Sequence, residues 1–197
     1  MSKHFYVDAS NQVAGKLSTF IAKTLLEGNK VSVVHCENIV FTGPIERGMK
    51  KYERYLRKRR IVNPLKGQFH YKEPSKYFKR VIRRMVPKKK EKGFKALKNL
   101  KVYEGCPQKY QDKEFYHVPK ALIKYTADPK RKFYILGDLL RRYGWKDYEL
   151  VRNLNIKEEK RRKFISEKKD KKQQEIEQIK LTEEYKTQLE NALKNFE

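Results

Sequence analysis

The chain has 197 residues, of which 38% are hydrophobic, 37% charged and 12% aromatic, and its formal charge is +25. The aromatic content excludes a wholly disordered chain, and the length allows one domain with an extension. Self-repulsion at that charge calls for a polyanionic partner, nucleic acid by default, and the want of a long apolar run argues against a membrane protein.

The opening MSKHFYVDAS runs straight into a strand, so no signal peptide is expected. Residues 4–8, HFYVD, predict a short strand, and Asp8, Ser10 and Asn11 suit the turn or helix cap after it. Leu17, Phe20, Ile21, Leu25 and Leu26 recur at helical spacing, and Gly28-Asn29 supplies the stop. VSVVH, 31–35, is a continuous apolar run, the pattern of a strand covered on both faces. Strand, helix and strand make a βαβ unit with a right-handed crossover. NIVFTG, 38–43, predicts a third strand or a continuation of the second.

Pro44 fits the first position of a helix. Along IERGMKKYERYLRKRR, Ile45, Met49, Tyr52 and Leu56 share one face. Arg47, Lys50, Lys51, Arg54, Arg57 and Lys58 fall largely around the others, with Arg59 and Arg60 at the end. Gly48 weakens this helix by about 1 kcal/mol relative to Ala, which the apolar periodicity outweighs. Asn63-Pro64 and Gly67 mark a loop that carries Lys66 and, shortly after, His70. EPSKYFKRVIRRMVP repeats the two-faced design, with Tyr77, Phe78, Val81, Ile82 and Met85 opposite Lys76, Lys79, Arg80, Arg83 and Arg84. Pro87 ends it.

A basic loop with Lys88, Lys89, Lys90 and Lys92 leads to a short helix carrying Phe94 and Leu97, then a strand, LKVY. Pro107, Pro119 and Pro129 make 105–130 a connecting segment with little regular structure. Arg131 and Lys132 precede an apolar strand or helix start and a helix ending near Gly144. From Ile156 onward the pattern is one or two helices with a sparse stripe of Ile176, Ile179, Leu189, Leu193 and Phe196. So little apolar area cannot fold alone and needs a surface to lie on.

The charge is unevenly spread. Residues 1–45 have a net charge of +1, 46–92 hold nineteen Lys/Arg against four Asp/Glu for +15, 93–156 have +7, and 157–197 have +2. The first quarter is a nearly neutral folding core, the middle is the electrostatic footprint, and the tail is a balanced, solvated helix.

YVDASNQVAGKLST has the outline of a phosphate-binding loop, which needs G-x-x-x-x-G-K-[ST] so that backbone N–H groups can wrap phosphates. Ser10 stands at the first glycine position, Leu17 at the metal-binding hydroxyl, and Val13 places a β-branched side chain inside the nest. The segment therefore reads as a structural βα turn, with Gly15 allowing close helix–sheet packing. Lys16 remains a candidate for an external phosphate. His4, His35, His70 and His117 form no ligand-spaced cluster, so no metal or cofactor is expected. His70 lies between two aromatics in QFHYK, where base stacking is an option. Cys36 and Cys106, with no C-x-x-C spacing, allow free thiols or one disulfide, and the nucleic-acid-like composition favours a reduced, intracellular pair. Asp8, Asp138 and Asp147 sit where capping explains them. Two helices with cationic faces, interleaved by Tyr52, Tyr55, Phe69, Tyr71 and Tyr77, predict phosphate contact by Lys and Arg.

At these residues the chain resembles the universal large-subunit ribosomal protein family numbered thirteen, in its eukaryotic and archaeal branch. VDASNQVAGKLSTFIAKTLLEGNKVSVV resembles that family's first βαβ unit, with Ala9-Ser10-Asn11 in place of a Gly-containing turn. The most specific match is RRMVPKKKEKGFKALKNLKVYEGCP: Met85, Pro87, Lys88, Gly93, Ala96-Leu97, Leu100, Val102-Tyr103 and Gly105. YLRKRRIVNPLKGQFHYKEPSKYF and KFYILGDLLRRYGWK are similar to later segments of the branch.

The resemblance implies an α/β three-layer sandwich with a small, mainly parallel four-stranded sheet over residues 1–150. Residues 151–197 would form a charged helical extension. It implies a non-catalytic constituent of the large subunit, bound to rRNA from early assembly, with no small-molecule substrate. The extension would lie on rRNA or a neighbouring ribosomal protein. The location would be the cytoplasmic ribosome, with nucleolar assembly in a eukaryote. Two other readings are an enzyme binding nucleotide through Lys16 and a sequence-specific DNA- or RNA-binding regulator.

Overall fold

A computed structural model describes residues 2–128 and 130–181 together with Thr187. They contain five strands and seven α-helices. Two compact units divide at 152/153.

In the first unit, β1 (His4–Asp8), β2 (Lys30–Val34) and β4 (Leu100–Val102) form a parallel sheet in the order β1-β2-β4. Phe5 pairs with Val31 and Val7 with Val33, and Val31 and Val33 pair in turn with Leu100 and Val102. Central β2 is buried from Val31 to Val34, as its unbroken apolar run requires. The α/β class and the mainly parallel sheet are as the sequence predicts, with three strands rather than four. Beyond β1 a single parallel bridge, Val7 to Tyr116, holds the fourth place. β3 (Val40–Thr42) instead pairs antiparallel with β5 (Phe133–Ile135) in a separate two-stranded sheet.

α1 (Ala14–Leu26) buries Leu17, Ile21 and Leu25, one residue per turn on one face. It ends as its sequence predicts. Gly28 takes φ +91°, its N–H reaches the Leu25 carbonyl, and the Asn29 N–H reaches that of Thr24. α2 (Ile45–Arg57) starts one residue later than its proline suggests, with Pro44 as the extended residue before the first turn. α3 (Pro74–Met85) packs against α1 and β4, and Phe78 and Ile82 are fully buried there. α4 (Glu91–Lys98) leads into β4.

The connecting segment carries 3₁₀ turns at Gln108–Tyr110 and Pro119–Ala121 and the short α5 (Ile123–Thr126). α6 (Leu136–Arg142) buries Leu136, Leu139 and Leu140, and Gly144 follows at φ +89°. α7 (Tyr148–Leu181) begins eight residues before the expected Ile156. Trp145, buried and edge-on to Tyr148 at 5.7 Å, and buried Val151 give its first turn a core to join. In the second unit the helix is charged and exposed. Arg162 donates to Glu158 at 2.7 Å one turn back, and Ile176 and Ile179 face solvent. Leu189, Leu193 and Phe196 lie outside the described residues.

Three glycines differ in what they do. Gly15 is exposed and a Cβ there would meet nothing within 4 Å, so close helix–sheet packing is not its role. Gly48, which counts against α2 by propensity, is buried; a Cβ there would lie 2.5 Å from the Tyr134 ring. Gly93 is tighter still, since a Cβ would meet the Pro87 backbone carbonyl at 2.1 Å. Backbone cannot swing aside as a side chain does. Gly93→Ala is expected to destabilise the protein by about 1–3 kcal/mol, measured as a lowered denaturation midpoint. Unchanged stability would mean that α4 shifts freely against the Pro87 turn.

Candidate nucleic-acid interface

The turn after β1 has the outline of a phosphate cradle, but the backbone donors from Ser10 to Val13 are spent. The Ser10 N–H donates to Asp8 Oδ1 at 2.9 Å, and that of Asn11 to the Asn38 carbonyl at 3.3 Å. The Gln12 N–H donates to the Ala9 carbonyl at 3.3 Å and that of Val13 to the Ala121 carbonyl at 2.7 Å. Four consecutive amides, Ser10 to Val13, thus bind the protein itself and do not wrap a phosphate.

The cationic side chains gather instead between α2 and α3. Lys51, Arg54 and Lys58 from the α2 side and Arg80 and Arg84 from α3 line a cleft of about 370 Å³, with Gln68 across it. Arg80, Arg83 and Arg84 line an adjoining cleft of about 440 Å³ with Gln68, Phe69 and Tyr71. Among the described residues no carboxylate lines either cleft. Among the described residues, none of these six cations is ion-paired.

Arg80 is the fixed point between the two clefts. Its guanidinium lies 4.2 Å above the Tyr55 ring, a cation–π contact. With the Gln68 amide turned so that its oxygen faces Arg80, that oxygen accepts from Nη1 at 3.2 Å and Nη2 at 2.7 Å. A guanidinium held on two sides loses little further freedom when it takes up a phosphate.

The tyrosines among the basic residues are braces. Tyr52, nearly fully buried, donates its hydroxyl to the Tyr71 carbonyl at 2.8 Å. The Tyr55 hydroxyl donates to the Phe69 carbonyl at 3.0 Å and accepts from the Tyr71 N–H at 3.0 Å. Together they fasten residues 69–71 to α2. Burial pushes the Tyr52 phenol well above its ordinary pKa, so it stays a donor. His70 sits edge-on to Tyr55 at 4.8 Å, and burial, with Arg80 and Arg59 adding, lowers its pKa. That shift favours the neutral imidazole, and its ring is turned to a tyrosine.

Between the helices, residues 58–68 are exposed but shaped. Asn63 Oδ1 accepts from the N–H groups of Leu65 and Lys66, closing the turn at Pro64–Lys66. Arg59, Arg60 and Lys66 are exposed on this loop, and so are Ile61, Val62 and Leu65, at 97%, 91% and 98%. Three nearly bare aliphatic side chains thus stand on one loop, more exposed apolar surface than a loop of this length ordinarily carries. Their sequence signal is an apolar pair and a leucine inside an arginine-rich stretch bracketed by Asn-Pro and Gly. Gln68 gives no such signal, because its role exists only once α3 is alongside.

The other expected cations lie apart from the clefts. Arg47, Lys50 and Arg57 are on exposed positions of α2, and Lys88, Lys89 and Lys90 form the exposed turn after α3, with Lys92 on α4. Lys76 pairs with Glu73 at 2.8 Å. Arg131 and Lys132 precede β5, where the Lys132 carbonyl accepts from the Gly43 N–H at 2.7 Å. Lys16 lies on α1 in a different groove.

Residues 2–109 match the family Ribosomal protein L13. The chain belongs to that family. The large ribosomal subunit protein uL13 of Caenorhabditis elegans is 42% identical over 151 residues, 77% of this chain and 74% of the relative. Its counterpart from Spodoptera frugiperda is 42% identical over 156 residues, 79% and 76% of the two chains. The chain is thus of the family's eukaryotic branch and is a ribosomal protein, not an enzyme. The match spans β1 to β4 and takes in both clefts.

Tyr55→Phe removes a hydroxyl that serves as donor and acceptor at once and leaves every cation in place. It should cost about 1–2 kcal/mol of stability and speed amide exchange at Tyr71. Unchanged protection of that amide would show that Tyr52 alone fastens the segment.

Proposed function

We propose that the chain is a structural constituent of the large ribosomal subunit that holds rRNA through the paired clefts of α2 and α3. The observation that carries this is the convergence of six cations from α2, the residue after it and α3, none of them ion-paired and with no carboxylate beside them among the described residues. Phosphates release condensed counterions when Lys and Arg replace them, so such a surface gains most from a polyanion. Arg80, preset by Tyr55 and Gln68, positions the backbone, and Phe69, 71% exposed at the cleft edge, offers a face to a base. The exposed cations of the 58–68 loop and of the 88–92 turn extend the track.

Residues 1–150 form the rRNA-binding domain in this reading, and 151–197 the helical extension. That extension docks on rRNA or on a neighbouring ribosomal protein, which its exposed Phe164, Ile176 and Ile179 would meet. The protein works on cytoplasmic ribosomes and joins the subunit during nucleolar assembly.

Arg83→Glu combined with Arg84→Glu reverses two exposed charges and leaves buried Phe78 and Ile82 untouched. The variant should bind rRNA more weakly, with a salt slope reduced by about 0.7–0.9 for each phosphate that is no longer neutralised, and should fall from the large-subunit peak of a sucrose gradient at moderate salt. Unchanged incorporation and an unchanged slope would overturn the assignment of these clefts.

A further inference from the structure

A second surface lies on α1, in a groove of about 970 Å³, near the upper end of the range of roughly 300–1,000 Å³ for ligand clefts. Lys16, Thr19, Phe20 and Lys23 form one wall, at i, i+3, i+4 and i+7 along the helix, opposite residues 118–120 and α5. Three lysines, Lys16, Lys23 and Lys120, line it and no carboxylate does. Its interior is apolar and aromatic. Phe20 stacks with Tyr116 at 5.8 Å and 27°, and Tyr125 lies 70% exposed on the far wall.

We propose that this groove takes an unstacked base of a single-stranded RNA segment, with the lysines on the flanking phosphates. The proposal rests on the rRNA reading above and adds a second, independent contact to it. Charge complementarity requires an anionic occupant, and the aromatic lining requires one with a flat face. A nucleotide supplies both, and stacking needs no hydrogen bond from the protein.

An acidic peptide fits less well. An extended backbone needs partners for its N–H and C=O groups. The groove has few to give: the Thr19 hydroxyl donates to the Gly15 carbonyl at 3.0 Å, and that of Thr126 to the Leu122 carbonyl at 2.8 Å. The lysines bring donors only.

Tyr125 is exposed, so replacing it leaves the core intact. In large subunits carrying the photo-crosslinker p-benzoylphenylalanine at position 125, irradiation should produce a crosslink to rRNA, mapped as a reverse-transcription stop. The same group at position 69 reports on the α2–α3 clefts. A crosslink from 125 to a ribosomal protein overturns the groove proposal. So does no crosslink at 125 while position 69 labels rRNA, and in that case the clefts stand. No RNA crosslink from either position overturns both. With the free full-length protein, Tyr125→Ala should weaken binding of a single-stranded RNA oligonucleotide on the order of tenfold, and Tyr125→Phe should not. Equal affinity of Tyr125→Ala and the parent would overturn the stacking role.

Discussion

The burial of α3 is what the rest of the interface depends on. Three of its arginines face outward on a surface shared with three cations from the α2 side, and like charges drive such a surface apart. What holds it is on the other face: Phe78 and Ile82 are fully buried, packed with α1 and the sheet, and each contributes roughly 1.5–3 kcal/mol by leaving water. The hydrophobic face thus determines where the guanidinium groups stand before any RNA is present. The same division explains the near-neutral first quarter. β1, α1 and β2 supply the core against which a segment of net charge +15 can be held flat.

Much of this was legible in the sequence, and the reasons differ by element. α1, α3 and β2 each bury a face or a run whose period is local, so spacing alone revealed them. The cation-bearing helices were legible for the same reason, as apolar and basic residues alternate at helical spacing. What could not be read is what depends on two segments meeting. Gly48 looks like a flaw in α2 until Tyr134, distant in sequence, occupies its missing side chain. Gly15 looks like a packing glycine and packs against nothing. The interleaved tyrosines counted toward an RNA-binding surface built of Lys and Arg. Composition gives the type of ring but not the direction of its hydroxyl, and Tyr52 and Tyr55 point theirs at the chain's own backbone. The start of α7 was missed because Trp145 and Val151, which anchor it, belong to no helical stripe of the tail.

The opening βαβ unit shows how one local shape serves opposite ends. In a nucleotide-binding loop the free amides of the turn are the site, and glycines keep them accessible. Here strand, turn and helix are kept, but Ser10 and Gln12 bond their amides within the turn and Asn11 and Val13 bond theirs to neighbouring segments. The turn thereby stitches β1 to residues 38 and 121, on either side of the sheet's connections. In the proposed function, phosphate recognition passes from main chain to side chains. Main-chain donors wrap one small anion; long cationic side chains spaced along two helices suit a polymer whose charges repeat.

The braced loop between α2 and α3 carries that argument one step further. A flexible arginine-rich arm would also attract RNA, but ordering it on binding would consume part of the interaction energy. This loop is tied at three points before it binds: the Asn63 turn, the Tyr52 and Tyr55 hydroxyls, and the Gln68–Arg80 contact. Its fully exposed Ile61, Val62 and Leu65 are the cost of that order, apolar area left in water by the free protein. In the proposed rRNA complex, covering them would return the hydrophobic term just as the cations release counterions. The two gains differ in salt dependence: the second fades as salt rises and the first does not. On that proposal the protein would keep hold of rRNA at ionic strengths where charge alone would let go.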